Sequence, residues 1–87
     1  MVETAPHQIC AVLGAGSWGT ALAFQAARAG AEVRLWSRDV EQVAAMRATG
    51  RNPRYLADLD LPERVEPTAD LRAALDGAGA VIIAVPS

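Results

Sequence analysis

The stretch of this 87-residue chain best equipped for chemistry is Gly14-Ala15-Gly16-Ser17-Trp18-Gly19, three glycines at the offsets G-x-G-x-x-G. The pattern alone is weak, because short glycine-bearing loops are common. Its setting gives it weight. An apolar run, Ile9-Cys10-Ala11-Val12-Leu13, leads into it, and an alanine-rich segment from Ser17 to Ala29 leads out. A strand turning into a helix, with a second strand close behind, is the context in which the three glycines acquire separate tasks. Gly14 permits a tight turn at a backbone angle that a Cβ resists. Gly16 leaves room for a ligand to approach the backbone, and Gly19 lets the helix pack closely on the strand. The first-turn N–H groups, from about Ser17 to Gly19, have no intrahelical partner and share a helix-end charge of roughly +0.5. Together they make an anion site of the kind that receives a dinucleotide's pyrophosphate. A strand–helix connection without a ligand would not need all three glycines at these offsets. Ser17 can serve either as helix cap or as phosphate donor. Trp18, on the first helical turn, either lines the ligand or packs against core or an interface.

The choice of dinucleotide turns on the end of the second strand. Glu32-Val33-Arg34-Leu35-Trp36 alternates apolar and polar residues, as a strand does. NAD-specific domains of this type usually place an acidic residue just after it, to hold the ribose 2′-hydroxyl. Here Ser37 and Arg38 follow, and Asp39 comes late with a competing task as helix cap. The Arg38 guanidinium suits the 2′-phosphate of NADP through paired hydrogen bonds, and it can also stack on adenine. The alternative for Arg38 is a solvated surface side chain. The balance favours NADP over NAD, with dual use left open.

These residues need a scaffold, and the remaining chain provides one. The run Ile9–Leu13 suits a strand buried on both faces of a parallel sheet. The first helix is expected to bury Leu22, Ala26 and Ala29 and to stop at Gly30. Asp39 can cap a second helix, with Gln42 as reciprocal partner in a capping box. Val40, Val43 and Met46 are expected to face the sheet, with Gly50 ending that helix. Arg51 to Pro62 reads as an irregular surface loop. Arg64-Val65-Glu66 is a short candidate strand, and Thr68 a candidate N-cap for a helix burying Leu71, Ala74 and Leu75. Ala80–Val85 is the most strand-like segment, closed by Pro86. This alternation predicts an α/β fold: a Rossmann-type parallel sheet with flanking helices, incomplete, with about four strands and three helices. Residues 1–87 read as the amino-terminal part of one dinucleotide-binding domain, with the substrate domain absent.

Bulk properties exclude several classes. A formal net charge of −2 gives no electrostatic reason to expect nucleic acid or an anionic membrane as partner. The longest apolar run, Ala78 to Pro86, is far short of the ~20 residues a membrane helix needs, and no signal peptide is evident before Ile9. A cytoplasmic protein is expected. The single cysteine, Cys10, reads as a small buried strand residue, and no Cys/His cluster has metal-site spacing. His7, the one histidine, reads as a surface residue of the lead-in. All eight cationic side chains are arginine. Without a lysine or a second histidine, no catalytic residue is assigned.

The string Gly14-Ala15-Gly16-Ser17-Trp18-Gly19-Thr20-Ala21-Leu22-Ala23, followed by Val33-Arg34-Leu35-Trp36-Ser37-Arg38-Asp39, resembles the bacterial NAD(P)-dependent sn-glycerol-3-phosphate dehydrogenases. The likeness continues through Arg51-Asn52-Pro53-Arg54-Tyr55-Leu56, Leu61-Pro62, Thr68-Ala69-Asp70-Leu71 and Ala84-Val85-Pro86-Ser87. The resemblance implies a cytosolic oxidoreductase that reduces dihydroxyacetone phosphate to glycerol 3-phosphate for phospholipid biosynthesis. It places Ser17, Trp18 and Arg38 along the cofactor, with Arg54 or Tyr55 nearby and Pro86 beside the dinucleotide. It also sets the strand Ala80–Val85 next to Ile9–Leu13. The catalytic lysines and substrate-phosphate ligands of such enzymes have no counterpart in this stretch, so the 87 residues alone are expected to bind cofactor weakly and to turn over nothing. Two other readings are a dehydrogenase of the 6-phosphogluconate or ketopantoate reductase type, and a dinucleotide-binding module without chemistry. An apolar strand edge left open at Ala80–Val85 is expected to favour self-association.

Overall fold

A computed structural model describes residues 8–84, which form four strands and three helices in the order β1 (Ile9–Leu13), α1 (Ser17–Arg28), β2 (Glu32–Trp36), α2 (Val40–Thr49), β3 (Val65–Thr68), α3 (Leu71–Leu75) and β4 (Ala80–Ile83). All strand pairs are parallel, and the sheet order is β3-β2-β1-β4. The expected α/β Rossmann-type sheet is therefore present. Right-handed crossovers put α1 and α2 on one face of this sheet and α3 on the other. Central β1 pairs with β2 over Ile9↔Glu32 to Leu13↔Trp36 and with β4 over Cys10↔Ala80 to Leu13↔Ile83. Being covered on both faces, it has no room for polar alternation. Cys10, Ala11 and Val12 are buried, and burial raises the Cys10 thiol pKa.

The core gathers Val12, Val33, Leu35, Val43, Met46 and Val65 between the sheet and the first two helices. The buried faces of the helices differ from those expected. Helix α1 buries Gly19, Thr20, Ala23 and Ala27 rather than Leu22, Ala26 and Ala29, and Ala29 is its exposed C-cap. The stripe is set by Gly19, which touches the end of β1, and not by the most apolar side chain. In α2, Val43 and Met46 are buried as expected, whereas Val40 is 67% exposed and Gln42 takes the inward place. Gly50 ends the helix in the left-handed region at φ 73°.

Strand β3 runs to Thr68 and includes Pro67, which an edge strand tolerates because its other side has no partner. Thr68 is thus a strand residue. The N-cap of α3 is Asp70, whose carboxylate accepts from the N–H groups of Arg72 and Ala73, while Thr68 Oγ1 accepts from Asp70 N at 3.1 Å. Only Ala74 of α3 is buried, with Leu71 and Leu75 on the surface. Arg34 reaches across to the end of this helix and donates to the carbonyls of Ala73 and Asp76. His7, Val85 and Pro86 lie outside the described residues. No described helix is long and apolar enough to cross a membrane.

Candidate functional site

The strand order reverses direction between β1 and β4, and ligands of open α/β sheets bind outside the carboxyl ends of the strands at such a point. The glycine turn occupies that position. Gly14 adopts φ 124°, a conformation side chains resist, and its N–H donates to Trp36 O at 2.8 Å, tying the turn to the end of β2. A Cβ on Gly19 would lie 1.7 Å from Gly14 O and 3.3 Å from Ala84 Cβ, so this helix can sit here only with glycine. Gly16 differs from both. Its φ of −80° is open to any residue, and a Cβ there would meet only Tyr55 Cζ, at 4.0 Å. The fold thus dictates Gly14 and Gly19 but not Gly16.

Gly16 is the N-cap of α1, and the first intrahelical bond runs from Thr20 N to Gly16 O at 2.9 Å. The N–H groups of Ser17, Trp18 and Gly19 precede that bond and point out of the helix end. No side chain caps this helix start, so Ser17 is not the cap. It is exposed on the first turn. Trp18 is 68% exposed, which removes the core-packing alternative for it. The helix end therefore presents donors to an anion, with no acidic residue in its first turn to oppose one.

A groove of about 600 Å³ extends from this point over the end of β2, lined by Gly14, Gly16, Trp36, Arg38, Arg54 and Tyr55 among others. Arg38 and Tyr55 are both exposed along it. The structure thus gathers Gly14, Gly16, Arg38 and Tyr55 on one groove, with Ser17 and Trp18 on the adjoining helix end; Gly19 lies beneath. Pro86 falls outside the described residues. Arg54 pairs with Asp39 at 2.5 Å across the mouth of the groove. Asp39 caps α2 as expected, through Glu41 N and Gln42 N, and those bonds together with Arg54 hold its carboxyl below the usual range. A larger hollow of about 730 Å³ lies along β2 and β3. Its charged lining mixes signs, and Arg64 there is already paired with Glu32.

Beneath the groove lies a polar cluster that the sequence did not reveal. Asn52, 1% exposed, donates to Ala15 O at 3.1 Å and to Thr20 Oγ1 at 2.9 Å. Its Oδ1 accepts from Gln42 Nε2 and from Arg54 N, each at 3.1 Å. Gln42 also donates to Ala15 O at 2.9 Å and accepts from Ser37 Oγ, which in turn accepts from Asp39 N. Gln42 is therefore not the reciprocal half of a capping box: Ser37 has taken that place, freeing the amide to turn inward. Among the described residues no buried side-chain polar atom lacks a partner.

Residues 9–87 match the family model described as NAD-dependent glycerol-3-phosphate dehydrogenase N-terminus. The chain is similar to a glycerol-3-phosphate dehydrogenase [NAD(P)+] of Thioalkalivibrio sulfidiphilus, 57% identical over 88% of this chain and 23% of that protein. The corresponding Coxiella burnetii protein is 49% identical over 99% of this chain and 26% of its own length. The crystal structure of glycerol-3-phosphate dehydrogenase from Coxiella burnetii superposes with a TM-score of 0.89 at 47% identity, covering 95% of this chain and 26% of that one. Plasmodium falciparum glycerol-3-phosphate dehydrogenase gives a TM-score of 0.75 at 29% identity over 93% of this chain and 25% of that one. The chain thus spans about a quarter of the length of the relatives it matches. By the family model, the sequence identity and the shared fold, it belongs to the NAD-dependent glycerol-3-phosphate dehydrogenase family, in that family's N-terminal region.

Proposed function

We propose that residues 1–87 form the amino-terminal part of the dinucleotide-binding domain of a cytoplasmic enzyme that reduces dihydroxyacetone phosphate to sn-glycerol 3-phosphate. The observation that carries the binding part is Gly16. Two of the three glycines serve the fold, and the third has no steric reason to be glycine except to admit a group against its backbone. Beside it stand the open N–H groups of the first turn of α1. The pyrophosphate would lie over Gly16 and this helix end, with Ser17 as a hydroxyl donor and Trp18 and Tyr55 as flanking surfaces. Pro86 would border the dinucleotide as well. When bound, the nicotinamide supplies the hydride. Residues outside this stretch would supply the substrate-phosphate ligands and the lysine, because the chain has none.

NADP is the cofactor we favour. Ser37 is buried and occupied with Gln42, and Asp39 is engaged with the α2 backbone and with Arg54. Neither is free to hold a ribose 2′-hydroxyl, whereas Arg38 is exposed on the groove. Titration of the full-length protein and its Arg38→Ala variant with NADPH and NADH tests this. The expected result is loss of NADPH affinity by about tenfold or more, as for a charge-assisted pair, with NADH little changed. Equal affinities for the two cofactors, unaffected by the substitution, would overturn the assignment.

A further inference from the structure

We propose that Asn52 and Gln42 are positioning residues of the dinucleotide site, acting by fixing the orientation of the Ala15–Gly16 peptide. This rests on the reading of the glycine turn as a pyrophosphate site. The Ala15 carbonyl accepts two buried amide donors, Asn52 Nδ2 at 3.1 Å and Gln42 Nε2 at 2.9 Å. Both side chains are themselves almost wholly buried, so the carbonyl is pulled into the protein interior. No cis peptide occurs among the described residues, and in a planar trans peptide the N–H points opposite to the C=O. The Gly16 N–H is therefore turned outward, to the groove that Gly16 lines, and it donates to no backbone carbonyl among the described residues. An inward-held carbonyl and an outward N–H are two ends of one rigid plane.

The alternative orientation would place the Ala15 oxygen on the groove, where it would repel a phosphate. A two-glycine turn is soft enough to flip in this way unless something holds it. Two donors on one carbonyl use both of its lone pairs, so the flip would orphan two buried amide hydrogens at once. Asn52 adds a second contribution. Its Oδ1 accepts from Arg54 N and so seats the Arg54–Tyr55 segment, whose tyrosine ring stands opposite Gly16. Asn52 thereby sets the floor of the site and one wall. Asn52 is 1% exposed, and Gln42, which borders the groove, is 5% exposed with its amide nitrogen turned to Ala15 and Asn52, so both act through Ala15, Gly16 and Tyr55.

Binding of two probes to the full-length protein separates this role from general support of the fold. ADP-ribose carries the pyrophosphate, and adenosine 2′-monophosphate does not. For Asn52→Ala the expected loss of ADP-ribose affinity is about tenfold, and for Gln42→Met, which keeps every Asn52 bond except one, about threefold. Adenosine 2′-monophosphate should bind all three proteins within about twofold, since its phosphate lies away from the turn. If Asn52→Ala does not fold, Gln42→Met decides alone. Variants that fold and bind ADP-ribose as the wild type does would overturn the positioning role, as would equal losses for both probes. A wild-type protein that binds no ADP-ribose would instead overturn the dinucleotide reading beneath it.

Discussion

Replacing Gly16 with alanine separates the requirements of the fold from those of the ligand. At φ −80° and ψ −167° alanine meets no backbone strain, and its Cβ would touch only Tyr55 Cζ at 4.0 Å, an ordinary contact. Two opposing effects on stability remain. Alanine restricts the unfolded chain, which stabilises by about 0.4–1 kcal/mol, and it is a poorer N-cap than glycine by a similar amount, roughly 0.5–1 kcal/mol. The net change lies within about 1 kcal/mol of zero, or within about 8 °C in Tm for a domain of this size. Binding should respond quite differently. The added methyl occupies the space through which a phosphate must approach the first-turn N–H groups of α1. Binding of ADP-ribose to Gly16→Ala should weaken by at least about tenfold, corresponding to roughly 1.4 kcal/mol. Thermal unfolding and calorimetric titration of the same sample read both quantities. Unimpaired binding, or a protein that does not fold, would refute the claim that Gly16 exists for the ligand.

Gly19→Ala should behave in the opposite way, because its Cβ would lie 1.7 Å from a backbone oxygen that cannot swing aside. Overpacking of this kind costs about 1–3 kcal/mol or more, so Tm should fall by at least about 4–8 °C, and a melt indistinguishable from wild type would be evidence against the close helix–strand contact. Asp39→Asn keeps an N-cap but removes the negative charge that pairs with Arg54. Because the folded carboxyl titrates below its ordinary value of about 3.9, its contribution is complete above that value and disappears as pH falls through the lowered one. The Tm difference between variant and wild type should therefore be present at pH 7 and shrink as pH falls below about 3.9; a constant difference would contradict the pairing. On the sheet, the β3 edge carries Pro67 and the charged Glu66, while β4 exposes Val81 and Ile83. The 87-residue chain should self-associate through β4, and Ile83→Lys should raise its monomer fraction in sedimentation; a wild-type chain that is already monomeric would exclude this.

The glycine turn was legible because glycine answers to backbone geometry, and backbone geometry leaves a fixed spacing. The parallel sheet was legible from the unalternating apolar runs Ile9–Leu13 and Ala80–Val85 and from the alternation of Glu32–Trp36 between them. The faces of the helices were less so. In α1 nearly every candidate is alanine, so hydropathy contrast points to Leu22, while the close approach of Gly19 to Gly14 selects Gly19, Ala23 and Ala27. Thr68 and Asp70 are both good caps two residues apart, and only the extension of β3 through Pro67 decides between them. Asn52 and Gln42 were missed for a related reason. A buried amide is satisfied by partners from elsewhere in the chain, here Ala15, Thr20, Ser37 and Arg54, and no local pattern announces them. The one available signal was Gln42 itself, an amide three residues after a capping aspartate. It was consistent with a capping box, but Ser37 supplies that bond.

Whether the Gly14–Gly19 turn receives the pyrophosphate of a dinucleotide is tested by titrating the ¹⁵N-labelled protein with ADP-ribose while following backbone amide resonances. Saturable binding is expected, with the largest shifts at Gly16, Ser17, Trp18 and Gly19, and smaller ones at Arg38 and Tyr55. Absence of binding, or saturable shifts confined to residues away from this turn, would contradict it.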